Sequence, residues 1–172
     1  MTGAAAVVGN ARLDLLAANQ LGRALFAEMY DGTAGPPNFA RYLFLDERGL
    51  DFYADWARAA NETVAILRAE AGRDPHDRDL SDLVGELSTQ SDEFRVRWAK
   101  HDVRFHTKAI KHIHHPDVGD LELSFDRLDL AADPGLAIFS YTAEPGSKSK
   151  EALTLLGSWT AHRPVSASSS SG

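Results

Sequence analysis

Hydrophobic residues recur every three or four positions through the middle of the chain, which is the spacing of one buried helix face. Asn19 and Asn38 each precede such a pattern and are predicted to cap the first two helices. One long helix is predicted from about residue 49 to residue 71, because its apolar stripe is unbroken. A short helix is predicted over residues 80–87, and Ser91 is predicted to cap the next one.

At the N-terminus the pattern changes to one typical of strands. An apolar run at residues 4–8 and an alternating run at residues 11–16 predict a β-hairpin. Gly9 and Asn10 between them predict a two-residue turn, because both tolerate the positive φ that such turns require. The second strand alternates apolar and polar residues and is therefore predicted to be half buried.

Period-two alternation returns in the second half of the chain. It predicts strands over residues 107–115, 121–130 and 136–141, the last of them central because it is apolar at most positions. A change of phase near Asp126 and Arg127 predicts a β-bulge in the middle strand. The stretch "EPGS" then leads into a predicted C-terminal helix.

The order of these elements predicts the class of fold. A hairpin, several helices, a three-stranded meander and a final helix is the order of a PAS domain. We therefore predict an α+β fold, PAS-like, with a five-stranded antiparallel sheet and a helical layer inserted between hairpin and meander. The domain is predicted to span residues 1–163, and a disordered Ser-rich tail residues 164–172.

Composition excludes several functions. The 25 acidic residues outnumber the 18 basic ones, which disfavours DNA binding by this chain alone. No cysteine is present, so disulfides and thiolate metal sites are excluded. No run reaches the roughly 18 apolar residues of a membrane helix, and no signal peptide is recognised, so a cytoplasmic location is expected.

The stretch "KHIHHP" raises the question of a metal site. His112 and His114 lie on one face of the predicted strand, and His106, His115 and Asp117 are the nearest further ligands. No two-sided metal motif completes the set. The sequence therefore predicts solvated or hydrogen-bonded strand histidines, with no metal and no cofactor.

Catalytic motifs are also missing from the sequence. It contains no Gly-x-Ser-x-Gly elbow and no glycine-rich phosphate loop. His101 and Asp102 are adjacent, and adjacent residues on a helix do not face one another. We predict that the chain is not an enzyme.

Aromatic residues are concentrated in one short part of the chain. Six of the 15 aromatic residues fall between positions 39 and 56. Two readings stay open, a solid core shared by two helices or the wall of a cavity for an apolar ligand. The spacing of the apolar residues does not distinguish these two interpretations.

Several stretches resemble the MmyB-like transcription regulator ligand-binding domain. They include "NFARYLFLDERGLDFYADW", "SDEFRVRWAKHDV" and "HHPDVGDLEL", and the likeness runs from about residue 7 to residue 156. This family is the C-terminal PAS-like domain of bacterial XRE-type helix-turn-helix regulators. The resemblance implies a small hydrophobic or carboxylate ligand, fatty-acid-like in at least one member. It implies contact with DNA only through a helix-turn-helix domain that this chain lacks, and it makes a homodimer an expectation.

The expected site is an apolar pocket between the inner sheet face and the helices of residues 38–100. For a carboxylate ligand, Asn38, Arg41, His101 and Arg104 are the predicted head-group donors, although either arginine alone could form an ordinary salt bridge. The alternative is a protein-interaction or dimerisation module with a solid core and no ligand. The predicted wall residues are Phe39, Leu43, Phe44, Tyr53, Trp56, Leu67, Phe94 and Trp98 on the helices and Leu123, Phe125, Phe139 and Tyr141 on the sheet.

Overall fold

The computed structural model describes residues 3–32, 35–100 and 110–161. Its five strands form one antiparallel sheet in the order β2-β1-β5-β4-β3. The predicted α+β architecture is confirmed, and so is the central position of the last strand. The strands are β1 (Ala5–Gly9), β2 (Leu15–Ala18), β3 (Ile110–His115), β4 (Gly119–Asp129) and β5 (Ala137–Thr142).

Among the described residues, seven helices lie between β2 and β3 and an eighth follows β5. Asn19, Asn38 and Ser91 cap helices as predicted, and each side-chain oxygen accepts a hydrogen bond from a first-turn backbone N–H. The helices are α1 (Gln20–Leu25), α2 (Ala27–Tyr30), α3 (Phe39–Leu45), α4 (Glu47–Phe52), α5 (Trp56–Arg73), α6 (Arg78–Gln90), α7 (Asp92–Ala99) and α8 (Lys148–Ala161).

The helices cover one face of the sheet and form a second core among themselves. The first core joins that sheet face to α1–α4 and α8, with Phe26, Leu123 and Leu153 fully buried. The second core lies among α3, α5, α6 and α7, where Leu67 and Phe94 are fully buried. Helices α3 and α5 contribute side chains to both cores and so connect them.

The predicted long helix is wrong, because the chain leaves helical geometry at residues 53–55. Asp55 caps α5 by accepting a hydrogen bond from the backbone N–H of Arg58 at 3.1 Å. Tyr53 pairs with Ile113 of β3 in an isolated antiparallel bridge. The apolar stripe continues across the break because α4 and α5 both face the core, so periodicity alone conceals it.

The predicted two-residue hairpin turn is also wrong, because β1 and β2 are joined by residues 10–14. The Asn10 side-chain oxygen accepts hydrogen bonds from the backbone N–H groups of Arg12 and Asp14, both at 3.0 Å. Leu13 takes a positive φ of 66°, a conformation rare for leucine. A side-chain-stabilised loop thus replaces the tight turn.

The predicted bulge in β4 is likewise contradicted. Residues 124–129 pair with β5 in continuous register. Leu128 lies on the outer face of the sheet and is 54% exposed, so its place in the hydrophobic pattern does not reflect burial. Residues 107–109 and the predicted tail at 164–172 lie outside the described part of the chain.

Helix α1 lies against β1 at a distance set by Asn19 and Gly22. The Asn19 side chain accepts from the backbone N–H groups of Ala6 and Gly22 at 3.1 and 2.7 Å and donates to the Ala4 carbonyl at 2.8 Å. A Cβ atom at Gly22 would lie 2.4 Å from the Ala6 carbonyl oxygen. Glycine is therefore required for this close approach of helix to strand.

We expect Gly22→Ala to destabilise the protein by about 1–3 kcal/mol, since the added methyl group meets backbone that cannot move aside cheaply. Gly85→Ala is the matched control, because a Cβ in that part of α6 meets open space. It should be neutral or stabilising by about 0.5–1 kcal/mol. Urea unfolding followed by circular dichroism measures both, and equal midpoints for the two variants would contradict the packing described.

Candidate ligand-binding pocket

A cavity of about 260 Å³ lies between the inner sheet face and α5. It is larger than the cavity of about 150 Å³ that suffices to bind benzene in an engineered protein core. Its wall is mostly apolar, with a group of polar side chains around Glu62. The apolar wall residues are Val7, Leu13, Leu15, Phe26, Phe39, Ala59, Ala65, Ile66, Ile110, Phe125 and Phe139.

Helix α5 provides one wall with small side chains. Ala59, Thr63 and Ile66 follow one another at spacings of four and three residues, so they lie along one helix face. All three line the cavity. Alanine and threonine at two of these positions leave space that leucine or phenylalanine would fill.

Aromatic rings form the rest of the wall, on the sheet and on the helical side, and hold it rigid. On the sheet, the rings of Phe125 and Phe139 stack with centroids 5.8 Å apart, and Phe125 also contacts Tyr141 at 5.2 Å. On the helical side, Phe39 and Tyr53 meet edge to face at 5.7 Å. Such pairs hold each other in place, so the cavity is bounded by side chains with few alternative positions.

The polar end of the cavity is organised by one carboxylate. Glu62 accepts from the Arg58 side chain at 3.1 Å and from the Lys111 ammonium at 2.8 Å. The Lys111 nitrogen also lies 5.0 Å from the centre of the Phe125 ring. Glu62 therefore connects α5 to β3 beside the cavity and neutralises part of the positive charge there.

Two buried tyrosines complete the cavity wall. The Tyr53 hydroxyl is buried and has no hydrogen-bond partner within the part of the chain that the structure describes. Burial, with smaller contributions from neighbouring groups such as Tyr141 and Glu62, raises the pKa of Tyr53 well above its ordinary value. Burial also raises the pKa of Tyr141. Both phenols are therefore neutral at physiological pH.

Five of the residues predicted for the pocket line this cavity. They come from α3, from the break between α4 and α5, and from strands β4 and β5. They lie together on the cavity wall, and their contact with a ligand stays a prediction. The five are Phe39, Tyr53, Phe125, Phe139 and Tyr141.

Seven other predicted wall residues pack in the solid cores instead. Leu43 and Leu123 are fully buried in the first core, with Trp56 packed against it. The Trp56 ring nitrogen donates to the Leu43 carbonyl at 3.0 Å. The second core contains the remaining four, which are Phe44, Leu67, Phe94 and Trp98.

Neither of the two predicted head-group donors that the structure describes, Asn38 and Arg41, lines the cavity. Asn38 donates to the Arg12 carbonyl at 2.8 Å and holds the β1–β2 loop. Arg41 forms the ordinary salt bridge that was the alternative, with Glu86 at 2.8 Å. His101 and Arg104 lie outside the described residues.

Sequence reasoning missed the polar residues that do line the cavity. Arg58 and Glu62 are spaced four apart, a helical ion-pair pattern that gives no sign of a nearby cavity. Lys111 alternates with His112 and His114 along β3, so it lies on the opposite face, which is the inner one. The alternation along β3 was therefore the one signal that could have identified it.

The histidines of "KHIHHP" have separate surroundings. His115 is buried, with its Nε2 atom 3.0 Å from the Ala24 carbonyl and its Nδ1 atom accepting from the Asp117 N–H at 3.1 Å. His114 is exposed and bonded to Asp120. Across residues 3–32, 35–100 and 110–161, no three His, Asp or Glu side chains are placed to hold a metal ion. His106 lies outside these ranges.

The sheet, its helical cover and the cavity between them define a PAS-like domain of the α+β class. The family described as the MmyB-like transcription regulator ligand binding domain matches residues 1–156, and the chain belongs to this family. The resemblance seen in the sequence is thereby confirmed. A search of curated proteins gave no match. None of the described helices is long and apolar enough to cross a membrane.

We expect the protein to lose stability as the pH rises above about 10, the ordinary tyrosine pKa. The pKa of every one of the four tyrosines is raised, chiefly by burial. Above that pH the unfolded chain releases phenolic protons that the folded chain keeps, which costs up to about 1.4 kcal/mol per pH unit for each fully buried tyrosine and less for the partly exposed ones. Urea midpoints should therefore fall between about pH 9 and about pH 11.

Ultraviolet absorbance of phenolate provides the check on this prediction. In the folded protein most of this absorbance should be missing at about pH 11 and appear only as circular dichroism reports unfolding. The urea-unfolded chain is the control and should titrate near pH 10. Phenolate formation near pH 10 with an intact dichroism spectrum would contradict the described burial.

Proposed function

We propose that the chain is the ligand-sensing domain of a bacterial helix-turn-helix transcription regulator, and that its cavity binds a small hydrophobic or fatty-acid-like molecule. One observation carries the proposal: a chain of a ligand-binding family has an aromatic-walled cavity of about 260 Å³ between sheet and helices. Binding there would be driven by removal of apolar surface from water, at about 0.8 kcal/mol for each buried CH₂ group. The site is proposed for binding and not for catalysis.

A fatty-acid-like ligand would lie in one orientation. Its chain would contact Phe39, Phe125 and Phe139, and its carboxylate would lie at the polar end near Arg58 and Lys111. Both cations already interact with Glu62, so a ligand carboxylate would compete with that side chain. Glu62 would therefore weaken the binding of anions relative to neutral amphiphiles of the same length.

Ligand binding would be coupled to DNA through the N-terminal hairpin. Val7, Leu13 and Leu15 bring both strands and the loop of the hairpin to the cavity wall. A ligand shifts a conformational equilibrium only when it binds one state more tightly, and wall residues on a movable element provide such a difference. DNA would be bound in the cytoplasm by a helix-turn-helix domain of the parent regulator, as a homodimer that reads paired half-sites.

We expect Ala59→Leu to fill part of the cavity and weaken binding of decanoate by at least about tenfold, because the new side chain occupies the space of ligand methylenes. Ala69→Leu on the exposed face of α5 is the matched control and should bind like the original chain. Isothermal titration calorimetry below the micelle concentration measures both. Failure of decanoate and decan-1-ol to bind the unaltered chain would favour the ligand-free interaction module instead.

We expect Glu62→Gln to improve the binding of decanoate relative to decan-1-ol by roughly five- to tenfold, since Lys111 and Arg58 lose their shared carboxylate. Glu70→Gln is the matched control, because Glu70 on the same helix pairs with Arg73 and does not line the cavity. The ratio of the two dissociation constants is the readout. An unchanged ratio would show that the ligand carboxylate does not lie at this end of the cavity.

A further inference from the structure

Tyr53 occupies an unusual place for a polar side chain. It lies in the three-residue break between α4 and α5, where the bridge to Ile113 fixes its backbone against the edge strand. Its ring packs against Phe39 and Phe52, with centroids 5.7 and 5.1 Å away. The residue is 8% exposed and lines the cavity. The hydroxyl oxygen itself has almost no accessible surface, so the cavity wall must move slightly to bring a ligand oxygen within hydrogen-bond distance of it.

The hydroxyl itself contributes nothing to the described fold. Among the residues that the structure describes it has no hydrogen-bond partner. A buried hydroxyl without a partner lowers stability, and phenylalanine would keep every ring contact without that cost. Its hydrogen-bonding capacity is therefore free for a molecule in the cavity.

The charges around the cavity determine which kind of partner fits. Glu62 also lines the cavity, and the two cations that line its described part, Arg58 and Lys111, both bind this carboxylate. An anionic group that reached Tyr53 would leave water without a free cation to receive it. An uncharged oxygen, as in a ketone, ester or alcohol, accepts a hydrogen bond with a much smaller desolvation cost.

We infer that the ligand carries an uncharged oxygen within its apolar part and that Tyr53 donates a hydrogen bond to it. This inference rests on the proposed function, because it requires a ligand in the cavity. It narrows the ligand class from any oily molecule to one with an oxo, ester or hydroxyl group along its hydrophobic part. A plain saturated chain would leave the Tyr53 hydroxyl unpaired.

The test compares two probes that differ at one group. Propiophenone has a carbonyl where propylbenzene has a methylene, and both are larger than benzene, as the cavity volume allows. Dissociation constants for both are measured by calorimetry or by titration of the NMR spectrum. The variant is Tyr53→Phe. The matched control is Tyr42→Phe, which removes the hydroxyl of a buried tyrosine that does not line this cavity.

We expect Tyr53→Phe to weaken propiophenone binding about fivefold while propylbenzene binds equally well or slightly better, the ratio expected for one neutral hydrogen bond. Tyr42→Phe should leave both constants unchanged. We also expect Tyr53→Phe to keep or raise the melting temperature, because the hydroxyl has no described partner.

Three results would overturn the inference. Equal changes of both constants in Tyr53→Phe, or no change in either, would show that the hydroxyl does not bind the carbonyl. A clearly lowered melting temperature of Tyr53→Phe would show that the hydroxyl has a structural partner. Failure of both probes to bind the unaltered chain would contradict the proposed function itself. That outcome differs from one in which the chain binds both probes and Tyr53→Phe leaves the ratio of their dissociation constants unchanged.

Discussion

The break between α4 and α5 is the constraint on which the cavity depends. The Asp55 side chain caps α5. The backbone N–H of Ala54 donates to the His112 carbonyl on the edge strand at 3.2 Å. A continuous helix could not place a residue in extended geometry beside β3, because helical backbone satisfies its own hydrogen bonds. The break thus joins the helical layer to the sheet at one edge and sets where α5 begins. Small residues on α5 then leave space between that helix and the aromatic sheet face.

The two cores lie on different sides of α5 and contribute differently to the structure. The second core, with Leu67, Leu87 and Phe94 fully buried, packs α5 against α6 and α7 away from the sheet. This packing holds α5 in place without the help of side chains that would otherwise fill the cavity. The Glu62–Lys111 pair adds a further link from α5 to the sheet. A cavity of this size can therefore be tolerated, because the helix beside it is supported from its other side.

Local signals predicted much of the fold, and contacts distant in sequence explain the rest. The caps at Asn19, Asn38 and Ser91 each bond a backbone N–H three residues further on, so they can be predicted from the local sequence. The apolar stripe across residues 53–55 concealed the break, because both flanking helices bury the same kind of residue. Glu62 and Lys111 are 49 positions apart, and no periodicity relates them. Phe39 and Tyr53 of the aromatic-rich stretch line the cavity, but aromatic density could not separate them from neighbours that pack in the cores.

The β1–β2 loop is the part of the hairpin in which a residue of the cavity wall has strained backbone. Leu13 lines the cavity at φ 66°, a left-handed conformation that costs a residue with a side chain roughly 1–2 kcal/mol. Its carbonyl accepts from the Phe39 N–H at 2.9 Å, and Phe39 lines the same cavity from α3. A molecule that contacts both side chains therefore acts on both ends of one hydrogen bond. Since that bond helps to hold the strained loop, a ligand of the kind proposed would couple occupancy of the cavity to the position of the hairpin.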